Sequence, residues 1–193
     1  MNSTISSELN PVSNYGTISS YGTATGKLLK SKKLKICVAE ATTGGLISAS
    51  LLAQPGASRF FISSCILYSK EGIQQFLPQE VIERSNVMDV TFNYKSKENY
   101  ISSKETFVKS VSEYLRELHD CDYCLCESGT SGPEFYIPGV TSGFTAIGIA
   151  GRGKTYEEVL HTGVTDRECN MYQFLERSLE ILNEVIKEEH GEL

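Results

Sequence analysis

Short, β-prone apolar runs alternate with helical patterns along most of this chain, and this alternation restricts the fold more than any other feature. Lys35–Ala39 (KICVA) is the first such run, and Phe60–Tyr68 (FFISSCILY) is the second. Each precedes a segment of helix-forming residues. Strands separated by helices favour a sheet that the helices cover. The sequence therefore predicts an α/β fold with a mixed, partly parallel sheet covered by helices.

Local patterns predict the other elements, through helical spacing of apolar residues, N-cap side chains and β-prone runs bounded by glycine. The predicted helices are Leu46–Leu52, Pro78–Ser85, Ser102–Leu118 and Tyr172–Ile186. The predicted strands are Tyr123–Cys126, Phe144–Ile149 and Val159–Val164, the last two as a hairpin. Thr42 or Thr43 is the expected N-cap of the first helix. Gly129–Gly139 is predicted as a loop.

The length of the chain, 193 residues with 40% apolar composition, suits one hydrophobic core. Residues 1–26 are rich in Ser, Thr, Asn and Gly, which predicts a flexible tail. Its paired tyrosines leave docking onto a partner open as an alternative. Residues 27–193 are predicted to form one α/β domain. Within it, the polar segment 86–100 is expected to be an extended surface loop.

Charge and hydropathy restrict the classes of partner. The chain has 18 basic and 24 acidic residues, a formal charge of −6, and no dense Lys/Arg stripe. Nucleic acid is therefore an unexpected partner. Neither a run of about 20 apolar residues nor a signal-peptide pattern is visible. We expect a soluble, cytoplasmic protein with no membrane partner.

Six cysteines raise the question of disulfides or a metal site. Most lie in apolar, strand-like runs, which indicates reduced and buried thiols. Cys121 and Cys124 have CxxC spacing, but a second ligand pair is missing. Cys124 and Cys126 are two apart, so on a strand they would pack on one face. We predict no metal site.

Two segments rich in glycine and hydroxyl groups follow predicted strands, at Glu40–Gly45 and Ser128–Pro133. Loops beyond the carboxyl ends of strands commonly bind ligands in such sheets. The helix starting near Gly44 would direct free N–H groups toward an anion. Together the two segments could hold a phosphate and a sugar. The alternative is that both are tight turns in which glycine serves the backbone geometry.

Several motifs, in order, resemble those of the CinA C-terminal domain family, whose series runs AESCTGG, PGAS, TYSN followed by E and K, and GIAGP. The corresponding residues are 39–45 (AEATTGG), 55–58 (PGAS), Tyr68-Ser69 with Glu71, and 129–133 (GTSGP). Thr162-Gly163 and Asp166-Arg167 resemble a later family segment. The likeness covers residues 35–186, and four motifs in order are a specific signal.

The resemblance implies a nicotinamide-nucleotide amidohydrolase, which removes ammonia from nicotinamide mononucleotide without a cofactor or metal. It also implies a serine nucleophile and an activating lysine. Aligned residue by residue, these positions are Ala41 and Ile73, which can perform neither role. A displaced pair would use the hydroxyl of Thr42 or Thr43 with Lys70, and Tyr68 matches the family.

The candidate catalytic residues are accordingly Thr42, Thr43, Tyr68 and Lys70. The candidate substrate-binding residues are Glu40, Ala41, Gly44, Gly45, Tyr68, Gly129, Thr130, Ser131 and Gly132. Three hypotheses remain open. The chain is a homologue without serine-dependent deamidase activity that binds a pyridine mononucleotide or related phosphorylated molecule, an active deamidase with a rearranged nucleophile, or a self-assembling structural protein. A homo-oligomer is expected.

Overall fold

The computed structural model describes residues 16–87, 96–134 and 139–192. Six α-helices and five strands are assigned within these ranges. The helices are α1 (Ile18–Lys32), α2 (Leu46–Leu52), α3 (Lys70–Phe76), α4 (Gln79–Ser85), α5 (Lys97–Leu118) and α6 (Arg167–Glu189). The strands are β1 (Ile36–Glu40), β2 (Phe61–Ile66), β3 (Tyr123–Thr130), β4 (Phe144–Ala150) and β5 (Thr155–His161).

The sheet has the strand order β2-β1-β3-β4-β5. Strand β1 pairs parallel with both β2 and β3, whereas β3–β4 and β4–β5 are antiparallel. The predicted mixed, partly parallel sheet covered by helices is confirmed, and so is the hairpin. Because β1 and β3 are parallel neighbours, Glu40 and Thr130 end their strands at the same edge of the sheet.

Alternation along the strands divides the core into two layers. Ile36 and Val38 of β1 pack with residues of α1, α2 and α6 on one face. Cys37 and Ala39 pack with residues of α3, α4 and α5 on the other face. Cys124 and Cys126 share this second face, as predicted, and the thiols of both are free and buried.

Helix α1 begins inside the segment predicted as a flexible tail, so that prediction is wrong for residues 18–26. The tail prediction for residues 1–15 lies outside the described residues. Two glycines explain the difference, because a Cβ on Gly22 would stand 2.2 Å from the Ser50 carbonyl oxygen. Gly22 is buried against Ser50 of α2, and Gly26 is buried against Gln54, two residues after that helix. Their small size promotes helix packing here rather than disorder.

Several boundaries differ from the predictions, and strand β5 occupies Thr155–His161 rather than the predicted Val159–Val164. Strand β3 continues to Thr130, so Ser128, Gly129 and Thr130 belong to a strand and not to a loop. Antiparallel pairing with β4 over these residues extends it. Helix α5 begins at Lys97, with Ser96 as its N-cap, five residues before the predicted start. The loop predicted over 86–100 is therefore shorter, and its residues 88–95 lie outside the described ranges.

Within residues 16–87, 96–134 and 139–192, none of the helices combines the length and the apolar character that crossing a bilayer requires.

Candidate active site

A cavity of about 440 Å³ opens where the carboxyl ends of β1 and β3 meet. Its volume lies within the range of roughly 300 to 1,000 Å³ that is common for small-molecule sites. Its lining comes from segments distant in sequence. These are Ala41 and Thr42 after β1, Leu67, Tyr68 and Ile73 around the start of α3, Tyr100 and Lys104 of α5, Ser128–Glu134, and Arg167 of α6.

Glu40, the last residue of β1, is only 1% exposed and caps helix α2 with its side chain. Its carboxylate accepts hydrogen bonds from the backbone N–H groups of Gly45 (2.9 Å) and Ser48 (2.8 Å), and from the Ser48 hydroxyl (2.5 Å). The predicted N-cap role of Thr42 or Thr43 is wrong, since Gly45 occupies that position at φ 102°. The N-terminus of α2 was predicted to bind a ligand anion, but the carboxylate of Glu40 occupies it.

Glu127, in β3, is a second carboxylate that is fully buried. It accepts hydrogen bonds from the backbone N–H groups of Ala41 (3.3 Å) and Thr43 (3.0 Å). The hydroxyl groups of Thr42 and Thr43 also donate to it, and the Thr145 hydroxyl does so at 2.6 Å. Glu127 therefore fixes the segment that follows β1 from the neighbouring strand.

The rearranged nucleophile considered from the sequence is not assembled by this geometry. Thr43 is 0% exposed, and its hydroxyl oxygen lies within hydrogen-bond distance of the carboxylates of Glu40 (2.7 Å) and Glu127 (3.0 Å), between which its single hydrogen is shared. Lys70 is exposed at the start of α3 and does not line the cavity. Thr42 lines the cavity, but its hydroxyl donates to Glu127. Neither Thr42 nor Thr43 is thus paired with Lys70.

The predicted substrate-binding residues divide into two groups. Glu40, Gly44 and Gly45 are not part of the lining, and Glu40 bonds to Gly45 at the start of α2. The residues brought to the lining are Ala41, Tyr68, Gly129, Thr130, Ser131 and Gly132. Close packing against β4 requires glycine at position 129, because a Cβ there would stand 2.0 Å from the carbonyl oxygen of Phe144.

Ser131 presents an unusual polar group to the cavity. The residue is 1% exposed, and its hydroxyl has no hydrogen-bond partner among the described residues. Asn170 of α6 donates to the Ser131 carbonyl oxygen at 2.9 Å and so fixes the backbone beside it. Buried hydroxyl groups are nearly always hydrogen-bonded in proteins, and among the unpartnered buried polar atoms of the described residues this one belongs to a residue that lines the cavity.

Arg167, the first residue of α6, connects two sides of the cavity. Its guanidinium donates to the Gly132 carbonyl oxygen at 2.9 Å and to the Tyr68 hydroxyl at 3.0 Å. Tyr68 is 60% exposed, so its ring stands at the mouth of the cavity. A guanidinium has five N–H donors, a number and arrangement that suit recognition of a planar or tetrahedral anion.

Lys104 is a second cation in the lining, and it is only 8% exposed. Its Nζ atom donates to the Ser128 hydroxyl at 3.1 Å and lies 5.5 Å from the centre of the Tyr100 ring. Burial lowers the pKa of Lys104 to about 8, although the charges of Glu127 and Cys126 partly oppose this change. This lysine is therefore partly neutral just above neutral pH.

Glu127 and Lys104 were not predicted as site residues, whereas Ser128 and Arg167 were identified only as parts of motifs. Lys104 lies at the buried phase of α5, three residues before Phe107 and four before Val108. A lysine among apolar residues at helical spacing was the available signal. For Glu127, the signal was a carboxylate that continues a buried apolar run.

Ala41 and Ile73, where the resemblance places a serine and a lysine, both line the cavity. Ile73 is 3% exposed and packs with Leu77 and Val81. The two positions therefore lie on the same cavity. Across the described residues, no group of three or more His, Cys, Asp or Glu side chains is placed to hold a metal ion.

Residues 19–186 match the family described as the CinA C-terminal domain. A CinA-like protein of Dictyoglomus thermophilum is 32% identical over 160 residues, which are 79% of this chain and 35% of that protein. A CinA-like protein of Desulforapulum autotrophicum is 30% identical, over 77% of this chain and 32% of that protein. The chain thus spans about a third of the length of these curated relatives.

Solved structures show the same fold. A CinA-superfamily protein of Klebsiella pneumoniae has a TM-score of 0.73 at 20% identity, over 90% of this chain and 99% of that one. One from Escherichia coli has a TM-score of 0.71 at 19% identity, over 92% and 95% respectively. At these identities the likeness concerns the fold, in which the cavity lies beyond the carboxyl ends of β1 and β3.

Proposed function

This chain belongs to the CinA family, and we propose that its cavity binds a pyridine mononucleotide or a related phosphorylated small molecule. We also propose that the deamidase reaction implied by the resemblance does not run through the family's own serine and lysine positions, because Ala41 has no nucleophile and Ile73 cannot accept a proton. Ligand binding can persist without a serine at position 41 and a lysine at position 73, because other residues of the cavity bind the ligand.

The observation that carries this proposal is the composition of the cavity. Two cationic side chains, Lys104 and Arg167, and Ser131 with its unpartnered hydroxyl line one cavity. One acidic residue, the exposed Glu134, also lies on the lining. Cations and free donors around a space of this size suit a phosphate, and Tyr68 at the mouth suits a pyridine ring.

The hypothesis of a purely structural, self-assembling protein gives no role to these groups. Burying a lysine and leaving a buried hydroxyl without a partner both cost stability. A cavity that had become vestigial would retain neither feature for folding. A polar ligand in the cavity that both residues line accounts for both.

Thermal unfolding with nicotinamide mononucleotide tests the proposal, with nicotinamide riboside as the ligand that lacks phosphate. We expect the mononucleotide to raise Tm, with about 2.7 kcal/mol of added stability at 100 times Kd, and the riboside to have a smaller effect. Arg167→Met should reduce the shift, whereas Arg59→Met, at an exposed arginine outside the cavity, should not. No shift at millimolar mononucleotide would contradict the proposal.

A further inference from the structure

Lys104 and Ser128 form a hydrogen-bonded pair in the cavity that also contains Ala41 and Ile73. A serine and a lysine are the two residue types that the aligned positions have lost. We propose, building on the binding function above, that Ser128 and Lys104 act as a relocated nucleophile and base, which hydrolyse a carboxamide or ester group of the bound molecule.

The geometry of the pair meets the requirement for an activated nucleophile. The distance of 3.1 Å between Nζ of Lys104 and Oγ of Ser128 lies within the range of about 2.6 to 3.2 Å for such pairs. Ser128 is held in β3 by pairing with Ala146, and it is 1% exposed. Lys104 is in the interior of α5. Both groups therefore come from rigid elements, which limits misplacement.

The surroundings of Lys104 favour a base over a structural cation. Among the residues the structure describes, no carboxylate lies within ion-pair distance of its Nζ atom. Desolvation lowers its pKa to about 8. Lys109, on the same helix, shows the opposite behaviour, because a hydrogen bond and ion pair with Glu157 raise its pKa. At pH 8, about half of the Lys104 side chains can accept a proton.

Thr42, the other hydroxyl close to Ala41, is less suited to the role. It donates its hydroxyl hydrogen to Glu127, a bond that helps to hold the segment after β1. Attack by Thr42 would break this bond and leave Glu127, which is fully buried, with one donor fewer. Ser128 accepts its bond from Lys104 and can reverse it when the amine is neutral.

The reaction balances with water as the other reactant. Oγ of Ser128 attacks the carbonyl carbon while neutral Nζ of Lys104 takes the hydroxyl proton. The C–N or C–O bond then breaks, and the proton passes to the departing amine or alkoxide. Water attacks the acyl-serine ester, giving one proton to Lys104 and then to Oγ of Ser128. The products are a carboxylate and ammonia or an alcohol.

Acylation by p-nitrophenyl acetate tests the pair without depending on the identity of the ligand. The wild-type chain should release p-nitrophenol in a burst, and peptide mass mapping should place the acetyl group on Ser128. Ser128→Ala and Lys104→Arg should lower the acylation rate at least about 100-fold. Arginine keeps the charge and the hydrogen bond but does not accept a proton.

Matched controls are Ser64→Ala and Lys27→Met, both at exposed positions outside the cavity, and they should acylate like the wild type. The wild-type rate should rise with pH and level off above about pH 8. An acetyl group on Lys104, or acylation that persists in Ser128→Ala, would overturn the proposal. So would a Lys104→Arg variant with an unchanged rate and pH profile.

The thermal shift with nicotinamide mononucleotide, measured on the same variants, separates this proposal from the function on which it rests. A shift without acylation at Ser128 leaves the binding function standing and rejects the pair. Acylation at Ser128 that depends on Lys104, without a shift, supports the pair and rejects the mononucleotide as the ligand.

Discussion

At the scale of single residues, the site depends on three buried ionisable side chains with different surroundings. Glu40 and Glu127 each receive several donors, from backbone N–H groups and hydroxyls. Lys104 has one hydrogen bond to a neutral hydroxyl and a contact with the Tyr100 ring. The two carboxylates therefore stabilise the loop, whereas burial of the lysine costs stability while it is charged.

We predict that Lys104 makes the stability of the folded chain rise with pH. Its folded pKa is about 8, below the value of 10.5 for an unperturbed lysine. Between these values the unfolded chain holds a proton that the folded chain has lost, so the free energy of unfolding increases with pH. The full contribution is about 3 kcal/mol. Urea unfolding of wild type and Lys104→Met from pH 7 to 10.5 measures it.

The comparison with Lys104→Met removes opposing contributions from other groups. Burial raises the pKa of Cys65 to about 11, and it also raises the pKa of Cys126. These thiols therefore lower the free energy of unfolding as pH rises. We expect the advantage of Lys104→Met over wild type to shrink from pH 7 to 10.5. Lys27→Met, at an exposed lysine, should show a constant difference. A constant difference for Lys104→Met as well would refute the burial argument.

At the scale of elements, α1 packs against α2 through glycine. Gly22 and Gly26, four residues apart, lie on one face of α1, where they contact Ser50 and Gln54. Composition alone predicted a tail here, because glycine and serine lower helix propensity and are common in disordered segments. The close approach of a second helix reverses that preference, and it involves residues almost 30 positions later in the chain.

We predict that Gly22→Ala destabilises the fold by about 2 kcal/mol, because its Cβ would stand 2.2 Å from the carbonyl oxygen of Ser50. Gly72→Ala in α3 is the matched control, since the nearest atom to its Cβ is 3.5 Å away. The control should be neutral or more stable by up to about 1 kcal/mol through helix propensity. Thermal unfolding of both variants measures this, and equal effects would contradict close packing of α1 on α2.

At the scale of the whole molecule, one edge of the sheet presents apolar side chains to solvent. Strand β2 is at this edge, and Ile62 and Ile66 on it are 41% and 49% exposed. Exposed apolar residues on an edge strand commonly mark an association surface. The homo-oligomer expected from the sequence remains a prediction, and this edge is the surface that we assign to it.

We predict that light scattering after size exclusion will give the wild type a mass of twice the 21.3 kDa of one chain. Ile62→Lys with Ile66→Lys should shift the mass to that of one chain, because lysine at an edge opposes association. Leu118→Lys, at an apolar residue that is also exposed but lies at the end of α5, should leave the dimer intact. A monomeric wild type would contradict the prediction.

The sequence by itself determined the fold class, the helix over Leu46–Leu52 and the edge of the sheet where the cavity opens. Local periodicity reports which face of an element is buried, and the motif order located the segments after β1 and β3. Ala41 and Ile73 were also identified from sequence as departures from the family, since alignment requires only residue identity.

The tertiary structure decided which side chains meet. Lys104 pairs with Ser128 across 24 residues, and Glu127 accepts from Thr42 across 85. No local sequence pattern encodes these contacts, because they depend on how α5 and β3 pack together and on the pairing of β1 with β3. Burial then set the chemistry of these side chains. It made Glu40 a helix cap and Lys104 a candidate base.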